Sequence, residues 1–216
     1  MVREFSFPTR IMHGTGSLDS FAQYLHTEED GPYLFVVDQG LIELGLAQRL
    51  LDLFAKYNLV TTTFSSFSGN PKEAEVLAGA AMYKESKARA LISMGGGSAM
   101  DMAKAIGVLA THDGDLLAFD DAKGGYKNIT NRLPVNYAIP TTAGTGSEVG
   151  RSSVIVSEKT GRKVIVFHPE MLPTIAVLEP TLSQGLPAGL TAATGADAFT
   201  HNLEAYLAKG YHPMAD

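Results

Sequence analysis

The chain has no cysteine and no tryptophan among its 216 residues. Without cysteine there is no disulfide framework, no thiolate metal site and no thiol nucleophile. That usage fits a reducing compartment, so the cytoplasm is the expected location. Positive charge is also scarce: 17 Lys and Arg stand against 23 Asp and Glu, a net charge of −6. This balance argues against nucleic acid and anionic membrane surfaces as partners. Only 19% of the residues are charged, yet no apolar run is long enough for a membrane span, and Met1 to Ile11 lacks the pattern of a signal peptide. What is present is core-forming material, 45% hydrophobic residues, and 22 glycines. With so little positive charge, a bound phosphate has to be held by backbone amides and helix ends, which directs attention to glycine.

Apolar β-prone segments alternate with segments of helical spacing. Tyr33 to Asp38 precedes Leu44 to Tyr57, Leu59 to Phe67 precedes Lys72 to Lys87, and Ala90 to Met94 precedes Ser98 to Ala110. This order predicts an α/β fold with a parallel sheet covered by helices. Thr111 to Arg132 reads as a long loop or a poorly regular excursion before a strand at Val135 to Pro140. Ser152 to Ser157 and Lys163 to His168 read as a hairpin with Gly161 at its positive-φ position, and a further strand follows at Ile175 to Leu178. After Pro187 a long helix is expected over Leu190 to Leu207.

Three places carry candidate chemistry. Gly95-Gly96-Gly97-Ser98 joins a strand to a helix, where amides and the helix dipole can hold a pyrophosphate; the same residues also fit a tight turn with a serine N-cap. It is not the G-x-G-x-x-G pattern, and it follows the third strand-helix pair rather than the first, so a plain Rossmann assignment fails. Asp38 ends a strand where open α/β sheets bind ligands; there it accepts ribose hydroxyls and repels a ribose 2′-phosphate, or simply closes a turn. A second loop, Pro140 to Glu148, offers Thr141, Thr142, Thr145 and Ser147 at another strand end, and two such loops in one sheet favour nucleotide binding. Asp197 and His201 are four residues apart on one helix face, a spacing that suits two metal ligands but also a surface pair, with Glu204 one turn further on. His13, His26, His112, His168 and His212 have no partner at ligand spacing, and His212 is a reserve candidate.

Together these segments resemble the iron-containing (group III) alcohol dehydrogenase family, whose fold is shared with dehydroquinate synthase and glycerol dehydrogenase. The resemblance runs from Phe7-Pro8 and His13 to Ser17, through Gly69-Asn70-Pro71, Gly95 to Asp101 and Pro140 to Glu148, to Gly195 to Tyr206. It implies a dinucleotide-binding α/β domain of the dehydroquinate synthase-like type over residues 1–183 and the beginning of an all-helical metal-binding domain over 184–216. By that likeness Gly96, Gly97 and Ser98 bind the pyrophosphate, and Asp101 lies toward the nicotinamide. Thr141, Thr142, Thr145 and Ser147 line the cleft, with Asn70, Lys163 and Leu182 as further cofactor contacts. Asp38 implies NAD rather than NADP, and Asp197 and His201 match the first two ligands of an Fe²⁺ site, with Zn²⁺ equally suited. The family's other two ligands lie further along its chain, so the expectation is a truncated chain with a half-built metal site. Gly150 and Glu179 depart from the threonine and aspartate common at those positions. The implied reaction is hydride transfer between NAD(H) and a small alcohol or aldehyde. The alternatives are a nucleotide-binding fragment without catalysis and an enzyme like glycerol dehydrogenase or dehydroquinate synthase. A homodimer through Phe5 to Met12 is the implied assembly, an edge strand of one sheet being the simpler use of that segment.

Overall fold

The computed structural model describes residues 9–28 and 31–210. Its strands are β1 (Arg10–His13), β2 (Tyr33–Val37), β3 (Thr61–Phe64), β4 (Ala90–Gly95), β5 (Val135–Pro140), β6 (Ser152–Val156), β7 (Lys163–Phe167) and β8 (Ile175–Leu178). Six of them form one parallel sheet in the order β1-β8-β5-β4-β2-β3. The helices are α1 (Ser17–Glu28), α2 (Gln39–Glu43), α3 (Leu46–Lys56), α4 (Glu73–Glu85), α5 (Gly97–Thr111) and α6 (Ala188–Leu207). The α/β architecture expected from the alternation is therefore the observed one.

The central strands β2 and β4 are buried along their whole length, because helices cover both faces of the sheet. Alternate residues feed two separate cores. Tyr33, Phe35 and Val37 pack with Leu50 and Phe54 of α3 on one face, where Phe35 and Phe54 meet edge to face at 5.6 Å. Leu34 and Val36 pack with Val76 of α4 and Ile106 of α5 on the other. The strands β6 and β7 form an antiparallel hairpin outside the main sheet, with Gly161 at φ +66° in its turn. The hairpin packs on α5, so α5 lies between it and the sheet and is buried from Ala99 to Leu109, except for the partly exposed Asp101.

Four details differ from the sequence reading or sharpen it. Helix α1 is additional to the expected strand-helix pairs, and its Leu18, Phe21, Ala22 and Leu25 have the spacing of a buried helical stripe. Residues 39–43 are a short helix rather than a turn, begun by Asp38, whose Oδ1 accepts from Gly40 N–H at 2.8 Å. Of the two readings of Thr111 to Arg132, the poorly regular excursion is the observed one: three 3₁₀ turns, at Leu116–Phe119, Asp121–Lys123 and Gly125–Asn128, bury Leu116 and Phe119. Asp115 and Asp120 cap the first two of these turns, and His112 Nε2 accepts from Thr130 N–H and Asn131 N–H, both at 2.9 Å. Residues 10–13 form a sheet edge, with β1 parallel to β8; residues 5–8 and His212 lie outside the described residues. Among the described residues no helix is long and apolar enough to cross a membrane.

Candidate functional site

The chain leaves β2 for β3 on one side and returns to β4 on the other, so the order reverses between β2 and β4. The carboxyl ends of strands at such a reversal are where open α/β sheets form a ligand crevice. Asp38 follows β2, the Gly95–Ser98 turn follows β4, and the Thr141–Ser147 loop follows the adjacent β5. Asp38 N–H donates to Met94 O at 3.3 Å and Thr141 N–H to Gly95 O at 2.9 Å, which ties the three ends together. Gly95 has φ +152°, and a side chain there would come within 2.8 Å of Ala99 Cβ. A Cβ on Gly97 would come within 2.8 Å of Thr145 Cγ2, so glycine allows the two loops to pack against each other.

Helix α5 begins at Gly97 with Gly96 as its N-cap and no side-chain cap. The serine N-cap considered from sequence does not form, because Ser98 Oγ donates instead to Gly69 O. The first-turn amides of α5 therefore have no intrahelical acceptor, at the positive end of the helix dipole. They open on a cleft of about 450 Å³. Its walls bring together Asn70, Gly97, Ser98 and Asp101 with Thr145 and Ser147 of the second loop, Lys163 of the hairpin, and Asp197 and His201 of α6. Asp38 and Gly96 sit at the strand ends beside it. Thr141 and Thr142 line a neighbouring recess of about 300 Å³ that also includes His13 and Glu179. Leu182 is buried in the core on the α1 and α3 face rather than in the cleft.

Asp101 is the most constrained acid in the cleft. Its Oδ1 accepts from Ser147 Oγ at 2.7 Å and its Oδ2 from Val154 N–H at 3.0 Å. Burial pushes its carboxyl above the ordinary value, against the opposing effects of Lys104 and these hydrogen bonds. Lys104 was not singled out from the sequence. It is 2% exposed, and its Nζ donates to Ser147 O and Ser147 Oγ at 2.7 Å each and to Ser152 O at 3.0 Å. Burial pulls its amine down to about 8, with Asp101 and Glu148 acting the other way. The available signal was a lone lysine in the otherwise apolar run Met102 to Leu109, since lysine is almost never buried without partners.

Asp197 Oδ1 and His201 Nε2 lie 3.8 Å apart on α6, both about half exposed. Gly144 lets this helix approach the second loop, because a Cβ there would be 3.0 Å from Thr194 O and 3.3 Å from Asp197 Oδ2. A carboxylate and an imidazole suit a first-row divalent metal, yet two donors do not close its coordination shell. Among the described residues no group of three or more His, Cys, Asp or Glu side chains is placed to hold a metal ion. The uncapped helix start and the cleft beside it suit a dinucleotide phosphate.

A model of the iron-containing alcohol dehydrogenase family matches residues 8–180. The chain belongs to this family. It is 44% identical to a 4-hydroxybutyrate dehydrogenase from Cupriavidus necator over 183 residues, which are 85% of this chain and 47% of that protein. It is 36% identical to alcohol dehydrogenase 4 of Saccharomyces cerevisiae over 215 residues, 100% of this chain and 55% of that one. Among solved structures, a 1,3-propanediol oxidoreductase superposes with a TM-score of 0.91 at 34% identity, covering 99% of this chain and 56% of its own. A sulfoacetaldehyde reductase from Bifidobacterium kashiwanohense, in complex with NAD⁺, gives 0.86 at 29% identity, covering 99% of this chain and 55% of its own. The chain thus spans about half the length of the relatives it matches.

Proposed function

We propose that this chain is the cofactor-binding part of an NAD(H)-dependent, metal-dependent alcohol dehydrogenase or aldehyde reductase acting on a small alcohol or aldehyde. The observation that carries this reading is one continuous cleft running from the uncapped start of α5 to Asp197 and His201. At its α5 end, the amides of Gly96, Gly97 and Ser98 hold the pyrophosphate. Asp38 accepts the ribose hydroxyls and repels a 2′-phosphate, which gives NAD preference over NADP. Thr145, Ser147, Asn70 and Lys163 on the cleft wall complete the dinucleotide contacts, with Thr141 and Thr142 in the recess beside it, and Asp101 fixes the nicotinamide end; Leu182, buried in the core, takes no part. Asp197 and His201 hold the divalent metal, iron or zinc. When bound, the metal supplies Lewis-acid polarisation of the substrate oxygen and the nicotinamide supplies or accepts the hydride. Residues 1–183 form the dinucleotide-binding domain and 184–216 open a helical one. The match to an NAD⁺-bound relative supports the cofactor assignment. A cytoplasmic location and a homodimer made across the β1 edge belong to the same reading.

A second reading, a nucleotide-binding fragment without turnover, is favoured by the two-donor metal site. Titration of the chain with NADH and NADPH, followed by nucleotide fluorescence with and without anaerobic Fe²⁺, tests the first proposal. Saturable binding, tighter for NADH, supports it; binding of neither nucleotide refutes it. Alcohol-dependent NADH formation by the iron-loaded chain eliminates the second reading, and binding without turnover supports it.

A further inference from the structure

We propose that Lys104 is the positioning residue of this cleft: its buried ammonium locks the second loop and strand β6 onto helix α5 and, through Ser147, sets the Asp101 carboxylate. This inference rests on the cofactor reading of the same site. An ammonium has three protons, and here each has an acceptor: Ser147 O, Ser147 Oγ and Ser152 O, at 2.7, 2.7 and 3.0 Å. The three acceptors come from two segments that converge on the cleft from different parts of the fold. Ser147 ends the loop after β5, and Ser152 begins β6.

The direction of the hydrogen bonds is also fixed. Lys104 has only donors, so Ser147 Oγ accepts from it and turns its own proton to Asp101 Oδ1 at 2.7 Å. Asp101 Oδ2 is then met by Val154 N–H at 3.0 Å, and Asp101 O accepts from Ser153 Oγ at 2.7 Å. The relay therefore runs from lysine through serine to aspartate and into β6. The relay is out of solvent at one end and reaches the cleft at the other, since the Lys104 side chain is wholly buried and that of Asp101 is 16% exposed. Among the described residues the charged groups around Lys104 are Asp101 at 4.0 Å on its own helix and Glu148 in the turn after Ser147, with Lys163 acting on Asp101 from β7. The residues of β6 packed against α5 are Ser, Val and Ile. Loss of the proton from Lys104 would leave Ser147 O and Ser152 O competing for fewer donors and would release the loop. The ordinary lysine value lies well above neutrality, but burial brings this one to about 8, so the release falls within reach of a mildly alkaline titration.

The test uses the whole chain and its Lys104→Met variant, which keeps an unbranched side chain one atom shorter and removes every donor. Two measurements are made: hydrogen exchange of the Val154 amide, corrected for intrinsic rate, and NADH affinity. The expected result is exchange at Val154 at least about tenfold faster in the variant, with the amides of β2 and β4 unchanged, and NADH binding about tenfold weaker. In the wild-type chain NADH affinity should fall between about pH 7 and pH 9.5, and in the variant it should be flat over that range, an outcome a purely structural lysine would not produce. A folded variant with wild-type Val154 exchange and a wild-type affinity profile overturns the proposal. Should Lys104→Met not fold, Ser147→Ala cuts the relay at its middle; unchanged Val154 exchange in that variant overturns it equally. Failure of the wild-type chain itself to bind NADH overturns the cofactor reading, and the positioning role with it.

Discussion

Lys104 makes a sharp prediction about stability as well. Its amine falls from 10.5 in an exposed lysine to about 8 in the folded chain, which corresponds to about 3 kcal/mol of stability withheld while the burial of the charge persists. The folded value is the lower one. Between pH 8 and pH 10.5 the unfolded chain therefore carries a proton that the folded chain has given up, and stability contributed by this group rises with pH across that window. The slope is at most about 1.4 kcal/mol per pH unit for one proton. Tyr83 works the other way above pH 10, since burial pushes its phenol up to about 12. The window is therefore read below pH 10, as a difference between wild type and Lys104→Met, which cancels groups common to both. Urea unfolding at a series of pH values supplies the measurement. The expected result is a wild-type chain that gains on the variant by about 1–3 kcal/mol between pH 8 and pH 10. A difference that does not change with pH, or that shrinks, refutes the reasoning and means that the three hydrogen bonds hold the proton against burial. The lysine thus costs stability at neutral pH where it organises the cleft, as expected for a group kept for function.

Three further outcomes are expected. Asn136 Nδ2 and Oδ1 are buried without a hydrogen-bond partner, so Asn136→Leu should raise the melting temperature by about 3–6 °C in a thermal scan, at roughly 1–3 kcal/mol per unsatisfied group and partial repacking; an unchanged or lower value would mean that an ordered water serves the amide. A Cβ on Gly150 would meet Gly146 O at 3.6 Å and Lys104 Nζ at 3.7 Å, ordinary contacts, so Gly150→Thr fits and adds a hydroxyl to the cleft wall; NADH titration should show several-fold tighter binding, about the worth of one hydrogen bond. Asp38→Asn keeps a side-chain oxygen for the Gly40 amide but removes the charge, so the preference for NADH over NADPH should narrow by about tenfold in parallel titrations, and an unchanged ratio would remove Asp38 from the ribose site.

Much of the site was legible because its residues sit at strand ends that local sequence marks. Gly95 to Ser98 and Thr141 to Ser147 follow short, largely apolar runs, Ala90 to Met94 and Val135 to Ile139, whose length and flanking turn residues suit a buried strand. Asp197 and His201 share a helix face by spacing alone. The parts that were missed had weaker or misleading local signals. Helix α1 follows closely on the short edge strand β1, and its stripe of four apolar residues is brief and has no strand of the main alternation before it. The 3₁₀ turns after α5 have no helical period, and their order comes from Asp115 and Asp120 capping amides and from His112 receiving two N–H groups across 18 and 19 residues. Ser98 stands where caps stand, but its hydroxyl reaches Gly69 O, 29 residues earlier.

By itself the sequence determined the alternation of strand and helix, the turns that need glycine, and the residue types available at each strand end, since all of these follow from local sterics and the periods of side-chain burial. Only the tertiary structure decided that β4 lies between β2 and β5, which places Asp38 and both loops side by side. The same is true of the hairpin's packing on α5, which removed Lys104 from water and gave its three protons to Ser147 and Ser152. Strand order and burial of a charge depend on contacts between distant segments, and no local pattern encodes them.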